Sequence, residues 1–295
     1  MKFVQTLLAL ALASTIGLAS IAQASSTIAS PVLEFEVFTQ NQAAGWKVNL
    51  SNDGTREASW NSGTSSWDWG ISTTSATPWF NQNSNGDWAM THNWVWSDTG
   101  KNFEVTISAN DVYGNLDPFI NYTMSVKNNS AGDKTFQKIV TAPIVPTLSG
   151  ANVVRASVSG GLTDATGNGV TITTKPNRDQ DTNNGDELQL FLLSTTNNFN
   201  AGNYTNAGVD VGGTVTHVGS SNSFAYGSYN DGPIAGPVGS WNYMQTRTRF
   251  NLTGDGDTAV IVGYAEISAV PEAKTYGMML AGLGLIGFVV RRRHV

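Results

Sequence analysis

The sequence predicts an all-β fold, an antiparallel β-sandwich of jelly-roll-like type, on the basis of three observations. Apolar and polar residues alternate along many short segments, clusters of Gly, Asn, Asp and Ser separate these segments, and no convincing amphipathic helix occurs between residues 25 and 268. Alternation with a period of two is typical of a strand that buries one face. Many short strands joined by turns favour a sandwich or a barrel.

The alternation is clearest in five segments, where we expect one apolar face to be buried. These segments are Leu33–Val37, Phe103–Ile107, Ile120–Val126, Leu188–Leu192 and Ile261–Ile267. Residues 128–133 and 163–169 have the composition of turns. Residues 195–240 are rich in Asn, Gly, Ser and Tyr, which predicts long loops with short strands.

The first 24 residues have the three parts of a secretory signal peptide. A basic start at Met1 and Lys2 precedes an apolar run over residues 3–21, and a small-x-small triplet ends at Ala24. We therefore expect an N-terminal signal helix over residues 1–24, with cleavage after Ala24. The mature chain is expected to work outside the cytoplasm.

A second apolar run lies near the C-terminus, over residues 275–290, and contains no charge. Its length of sixteen residues corresponds to about 24 Å as a helix, which is marginal for a bilayer core of about 30 Å. Three arginines follow directly, Arg291, Arg292 and Arg293, and they favour the cytoplasmic side. We expect one hydrophobic helix that lies in the membrane with its C-terminus on the cytoplasmic side.

The order of features at this end resembles the PEP-CTERM sorting signal. Val270, Pro271 and Glu272 come first, Thr275 begins an apolar run, and the arginine cluster ends it; Ala273 stands where that family usually has a second proline. The resemblance covers residues 269–295. It implies a diderm bacterium whose exosortase, a membrane enzyme, cleaves near Pro271–Glu272, so that the hydrophobic helix holds the chain in the membrane only transiently. It also implies delivery to the cell surface or extracellular matrix, and an association with exopolysaccharide and biofilm.

The region between the two ends, residues 25–268, has the length of one large β-sandwich ectodomain. Residues 25–270 contain 21 acidic and 11 basic side chains, a net charge of −10. An acidic surface of this kind disfavours nucleic acid as a partner. The chain has no Cys, which excludes disulfides and thiolate chemistry.

Catalytic motifs are absent from the sequence, so we expect no enzymatic activity. There is no Gly-x-Ser-x-Gly elbow, and the ectodomain contains only two histidines, His92 and His217, which is too few for a zinc site without Cys. The pair of carboxylates that glycoside hydrolysis requires is brought together by the fold, so it has no characteristic spacing in the sequence. Asp68, Asp87 and Asp98 lie among tryptophans, which keeps a matrix glycoside hydrolase open as an alternative.

An acidic loop is the one candidate metal site, with Ca²⁺ as its expected ion. Its oxygen ligands would be Asp179, Asp181, Asn183, Asp186 and Glu187, because hard cations bind several such oxygens in a flexible loop. The spacing departs from that of an EF-hand. The loop is therefore either an irregular calcium site or an ordinary polar turn.

Eight of the nine tryptophans fall between residues 44 and 97. Trp67 and Trp69 are two apart, as are Trp94 and Trp96, so each pair would share one face of a strand. Core packing explains some of them. Together with Asp68, the four define a candidate glycan-binding face, because sugars offer apolar ring faces and hydroxyl groups.

These features favour an exported, surface-sorted structural or adhesive protein of the extracellular matrix that contacts exopolysaccharide. A calcium-stabilised scaffold without glycan binding is one alternative, and the matrix glycoside hydrolase is the other.

Overall fold

The computed structural model describes residues 29–39, 43–74, 77–98, 100, 102–116, 118–175, 187–199, 202–219, 222–270, 278–284 and 286. The predicted signal peptide and the Arg291–Arg293 cluster lie outside these residues. So do Pro271, Glu272 and Thr275 of the sorting signal.

The described residues form nineteen strands. In chain order they are β1 (Val32–Thr39), β2 (Gly45–Ser51), β3 (Gly54–Asn61), β4 (Ser66–Thr73), β5 (Phe80–Gln82), β6 (Asp87–Met90), β7 (Trp94–Asp98), β8 (Phe103–Ile107), β9 (Val112–Asn115), β10 (Phe119–Asn128), β11 (Lys134–Gly150), β12 (Asn152–Thr163), β13 (Val170–Thr174), β14 (Gln189–Ser194), β15 (Thr205–Asn206), β16 (Val215–His217), β17 (Ser223–Ala235), β18 (Gly239–Leu252) and β19 (Asp257–Ala269).

The strands form two antiparallel sheets packed as a sandwich, which confirms the predicted fold class. The ten-stranded front sheet has the order β15-β14-β18-β11-β1-β2-β3-β4, with β13 and β16 attached through β18. The nine-stranded back sheet has the order β17-β12-β19-β10-β9-β6-β5, with β8 and β7 attached through β10.

The main core lies between the sheets and is built by the predicted alternation. Leu33, Phe35 and Val37 of β1 are buried, and so are the even-numbered residues of β10 from Ile120 to Val126. The neighbouring residues of opposite parity face away from the core. Burial of one side chain in two is why these segments form strands of a sandwich.

A buried polar bridge joins the two sheets inside this core. The Tyr122 hydroxyl, from β10 of the back sheet, hydrogen-bonds to Gln189 and Thr248 of the front sheet. Gln189 Nε2 in turn donates to the Tyr264 carbonyl over 3.0 Å. The Lys138 ammonium lies against the Tyr122 ring and has no hydrogen-bond acceptor among the described residues.

The segment at β14 differs from the prediction of a single buried face. All six of its residues are buried, because both faces are covered. Phe191 and Leu193 point into the main core. Leu190 and Leu192 lie on the other face, where they form a small second core with Phe199. Period-two alternation could not show this, since apolar residues occupy both faces.

Residues 195–240 also differ in part from the predicted long loops with short strands. The strands β15 and β16 are short, as expected. However, β17 is 13 residues long and pairs with β12 along most of its length. Its Gly, Ser and Asn residues are stabilised by this pairing, which overrides their low strand propensity.

The C-terminal end of the chain leaves the sandwich at β19, a central strand between β12 and β10. Residues 278–284 are helical, in agreement with the expected single C-terminal helix. No helix within the described part of the chain has the length and apolar character required to cross a bilayer.

Candidate functional site

A groove of about 640 Å³ crosses the outer face of the front sheet. Its floor is made by β1, β2, β11 and β18, and two walls rise from the sheet. One wall is the β3–β4 hairpin and the other is the loop after β14. The side chains that line the floor and the walls include Glu34, Glu36, Lys47, Asn49, Trp60, Trp67, Gln137, Thr141, Phe199, Gln245 and Arg247.

A cluster of charged side chains lies at the centre of the floor. Lys47 Nζ lies 2.8 Å from Glu34 Oε2 and 3.1 Å from Glu36 Oε1. Asn49 Nδ2 donates to the second oxygen of Glu34 over 2.9 Å. The four side chains are close because Glu36 pairs with Lys47, and Glu34 with Asn49, across β1 and β2.

Burial sets the proton affinities in this cluster. Burial raises the pKa of the Glu36 carboxyl, and the nearby Lys47 ammonium offsets that rise only in part. Burial disfavours the charged form of Lys47, but attraction to Glu34 and Glu36 outweighs it and raises the pKa of Lys47. The groove therefore keeps its ammonium charged, while Glu36 gains a proton more readily than an exposed glutamate.

The hairpin wall is aromatic. Trp60 and Trp67 occupy opposed positions on β3 and β4, with ring centroids 5.3 Å apart and planes at 70°. Both rings pack on Phe38, at 6.0 and 5.3 Å. Gly45 leaves room for this packing, because a Cβ at that position would overlap the Phe38 ring. The wall is thus a supported edge-to-face aromatic cluster.

The predicted pair Trp67 and Trp69 shares this face, as the sequence spacing suggested. Lys47 Nζ lies 5.9 Å from each of the two ring centroids, and the Arg56 guanidinium lies 4.8 Å from the Trp69 ring. The Trp69 side chain is 44% exposed. Asp68, between them, is exposed and accepts a hydrogen bond from Asn61 over 3.0 Å.

The opposite wall is held to the floor by Arg247. Its Nη2 donates to the Phe199 carbonyl over 2.6 Å, and its guanidinium lies 5.2 Å from the Tyr204 ring. Beside it, Gln245 Nε2 donates to Thr141 Oγ1 over 2.7 Å. This wall therefore presents polar groups, whereas the hairpin wall presents aromatic rings.

A polar group at the floor has no hydrogen-bond partner among the described residues. Gln137 borders the groove and is 4% exposed, and its Oε1, which is shielded from solvent, accepts no hydrogen bond from any described residue. A buried acceptor without a donor costs about 1–3 kcal/mol.

The second predicted tryptophan pair belongs to the interior. Trp94 and Trp96 do share one face of β7, with their rings stacked at 5.9 Å, but that face points inward. Trp96 is 8% exposed and packs on Phe103, and Trp94 packs against Phe35 of the main core. These two residues are therefore removed from the candidate glycan-binding face, which now comprises the β3–β4 hairpin and the floor.

The remaining candidates lie apart from the groove. His92 contacts Trp79 and His217 stacks on Phe224 at 4.4 Å. Asp87 accepts hydrogen bonds from Asn83 and Asn115. The described residues therefore do not bring any of these three side chains into the groove.

The acidic loop is almost entirely outside the described residues. Asp179, Asp181, Asn183 and Asp186 are not among them, and only Glu187 is. Within the described ranges, no group of three or more His, Cys, Asp or Glu side chains is placed to hold a metal. The calcium prediction therefore stays a prediction.

Most of the groove floor was missed by sequence reasoning. Glu34 and Glu36 were visible only as the polar positions of β1. A signal did exist in β18, where Gln245, Arg247, Arg249 and Asn251 alternate with Thr and Phe residues that face the core. Arginines at every second position of a buried strand indicate a polar outer surface that another part of the chain covers.

The fold and the tail together define an exported β-sandwich protein with a sorting signal. The PEP-CTERM protein-sorting motif matches residues 269–293, which identifies the chain as a PEP-CTERM protein and confirms the expectation from its sequence. It is a surface-sorted or extracellular protein of a Gram-negative-type bacterium, and the motif implies processing by an exosortase. No curated protein matches the chain.

Several solved structures resemble the chain at low similarity. A chain of Sulfolobus turreted icosahedral virus is 9% identical with a TM-score of 0.24, and the match covers 82% of this chain and 50% of the viral one. A carbohydrate-binding module of the β-sandwich superfamily is 10% identical, with a TM-score of 0.20 and coverages of 80% and 83%. The family 11 carbohydrate-binding module of Clostridium thermocellum is 8% identical, with a TM-score of 0.18 and coverages of 62% and 99%. At these TM-scores the matches carry no conclusion about a ligand.

Proposed function

We propose that this protein is a structural or adhesive component of the extracellular matrix, and that it holds exopolysaccharide in the groove of its front sheet. The sorting signal delivers the sandwich to the outside of the cell, after cleavage near Pro271–Glu272. The groove then contacts the polysaccharide that surrounds the cell.

The combination of an aromatic wall with a polar floor carries this proposal. A pyranose ring has apolar faces that stack on indole rings such as Trp67, and hydroxyl groups that need hydrogen-bond partners at its edge. The floor presents the partly exposed side chains of Lys47 and Glu34, at 13% and 24% relative exposure, to such hydroxyl groups, and each Glu34 oxygen keeps a second lone pair besides its bond to Lys47 or Asn49. Charges of both signs lie within the groove, so it suits a polar ligand better than a strongly charged one.

Binding is favoured over hydrolysis because the two carboxylates are already engaged. Both oxygens of Glu34 are paired, one with Lys47 and one with Asn49. Glu36 is 5% exposed, which limits its contact with a scissile bond. A general acid and base must reach the substrate. The glycoside hydrolase alternative predicts new reducing ends when polysaccharide is incubated with the protein, whereas the proposed function predicts none.

The direct test is co-sedimentation of the mature protein with the organism's own exopolysaccharide. We expect the protein to pellet with the polymer and to be released by soluble fragments of it. Heat-denatured protein gives the background level. A protein that stays in the supernatant over the full range of polymer concentrations would remove the glycan partner and favour the scaffold alternative.

A further inference from the structure

The folded sandwich ends directly beside the sorting signal. Ala269, the last residue of β19, is paired with Asn152 at the start of β12. The next amide, Val270 N, still donates to the Ala151 carbonyl over 3.0 Å. An ordered backbone therefore extends to the residue before Pro271. The described chain has no flexible stalk between the sandwich and that position.

The surface around this point carries exposed apolar side chains. We define the exit rim as Ala151, Val238 and Val270. Val238 and Val270 are 79% and 43% exposed, and Ala151 is also exposed. Backbone contacts place the three together, because Val270 N donates to the Ala151 carbonyl and Gly239, next to Val238, pairs with Gly150, next to Ala151.

The exit rim is held rigidly. Asn152 Nδ2 donates to the Pro237 carbonyl over 2.8 Å, and Trp241 Nε1 donates to the same oxygen over 3.1 Å. The Gly236 amide donates to the Asn152 carbonyl over 3.0 Å. Two side chains and one amide thus fix the segment that precedes Val238. An apolar side chain held rigidly in solvent loses little conformational entropy when a partner covers it.

We propose that the exit rim is a docking surface for the membrane enzyme that cleaves the sorting signal; this inference rests on the proposed cleavage near Pro271–Glu272. The chain advances at most about 3.3–3.6 Å per residue. A scissile bond one or two residues beyond Val270 is therefore within about 10 Å of the exit rim. An active site that reaches this bond also touches the exit rim, unless β19 is first pulled out of the back sheet.

The chemistry of the exit rim specifies an apolar partner surface. On the neighbouring strands β12 and β19, the charged side chains Arg155 and Glu266 are paired with each other, and Arg155 Nε donates to Glu266 Oε2 over 2.6 Å. This ion pair therefore presents no net charge beside the exit rim. Small apolar contacts around a cleavage site add to substrate binding, so their loss raises the KM of processing before it affects the chemical step.

The experiment compares two valines at opposite ends of the sandwich in the full-length chain. Val238→Asp changes the exit rim, and Val218→Asp is the matched control, because Val218 is 87% exposed. Val218 directly follows β16. Its neighbour His217 contacts Phe224 and Ala225, which pair with the last residues of β12, whereas the exit rim lies beside the first residues of β12. The measurement is the ratio of processed to unprocessed chain over time, in cells that produce the enzyme. We expect Val238→Asp to slow processing about fivefold or more, as for a binding residue worth 1 kcal/mol, with Val218→Asp at the wild-type rate.

A flexible spacer between the sandwich and the sorting signal distinguishes a loss of docking from a defect in folding as the cause of slow processing. Insertion of eight Gly and Ser residues between Val270 and Pro271 lets the enzyme reach its site without touching the sandwich. Val238→Asp is then expected to process at the same rate as its parent. Persistent slowing in the spacer background, or no slowing in the native background, would overturn the docking role. Reduced membrane association of unprocessed Val238→Asp in cells lacking the enzyme would assign the exit rim to the lipid surface instead.

Substitution of Glu272 keeps the two proposals distinguishable. Glu272→Ala is expected to block processing whether or not the exit rim is intact. If Glu272→Ala is processed normally, the proposed cleavage site itself fails. If Glu272→Ala blocks processing and Val238→Asp has no effect, only the docking surface fails.

Discussion

Trp60 and Trp67 face each other across β3 and β4, with ring centroids 5.3 Å apart, and both rings pack against the buried ring of Phe38. This contact turns a two-stranded hairpin into a rigid aromatic wall. The wall stands beside the charged cluster of Lys47 and its two glutamates. The candidate site therefore depends on side chains from six strands, β1 to β4, β11 and β18, which no local segment contains.

Tryptophan substitutions separate the wall from the core. Trp67→Ala is expected to weaken retention on an exopolysaccharide column about five- to thirtyfold, as for a central binding residue, and to cost less stability than a core substitution, because Trp67 is only half-buried where it covers Phe38. Trp96→Ala is expected to lower the free energy of unfolding by about 3–5 kcal/mol, because Trp96 is buried. Retention and urea denaturation measure the two effects.

The control for an exposed aromatic residue outside the groove is Tyr113→Ala, since Tyr113 is 39% exposed on the back sheet. It should bind as the wild type does. Equal retention of Trp67→Ala and Tyr113→Ala would show that the hairpin wall takes no part in binding.

The raised pKa of Glu36 predicts a pH dependence of stability. The unfolded chain loses this proton near its ordinary value, whereas the folded chain loses it at higher pH. The unfolded state therefore binds fewer protons between these two values, and stability falls as pH rises through this window. In Glu36→Gln this contribution is absent. The contribution is measured as the difference between the urea midpoints of the wild type and Glu36→Gln from pH 4 to 7. Midpoints that change with pH in the same way in both proteins would contradict the expectation.

The buried Lys138 predicts a pH dependence of the opposite sign. Burial lowers the pKa of this ammonium well below its ordinary value, so the unfolded state binds more protons at pH values between the folded and the ordinary pKa. Stability then rises with pH up to the ordinary lysine range. Lys138→Met is expected to stabilise the protein by about 1–3 kcal/mol at pH 7, and by less at pH 10. Lys127→Met, on the outer face of β10, should change neither value.

The acidic loop remains testable through metal linkage. If Asp179, Asp181 and Glu187 bind calcium, the ion at about a hundredfold above its dissociation constant stabilises the fold by roughly 2.7 kcal/mol. Thermal melting with calcium and with a chelator compares the two states. Identical melting curves would establish the loop as an ordinary polar turn.

Processing predicts the mass of the surface form. The mature protein should begin at Ser25 and should lack the Tyr276–Val295 segment. Intact-mass measurement of protein released from the cell surface reads both ends at once. A mass that retains Arg291–Arg293 would show that the tail is a permanent anchor.

The groove shows where sequence reasoning reached and where it stopped. Trp67 and Trp69 were predicted to share a face, and they do, because alternate residues of a strand share a face in any sheet. The same rule grouped Trp94 with Trp96 correctly, but it could not say that their face is the inner one. Glu36 and Lys47 are joined only by the register of β1 with β2, which depends on the whole front sheet.

The sequence by itself determined the strand-rich class of the fold and the PEP-CTERM signal, because both depend on local order: a period of two, and a short ordered motif. It did not determine which face of each strand is inward, which strands are neighbours, or which polar residues meet. Those features depend on contacts between distant residues, such as the contact of Gln245 with Thr141. Only the tertiary structure decided that the groove crosses the front sheet and that the exit rim lies beside the sorting signal. The groove depends on how distant strands pair within the front sheet, and the exit rim depends on how the ends of β11, β12, β18 and β19 come together.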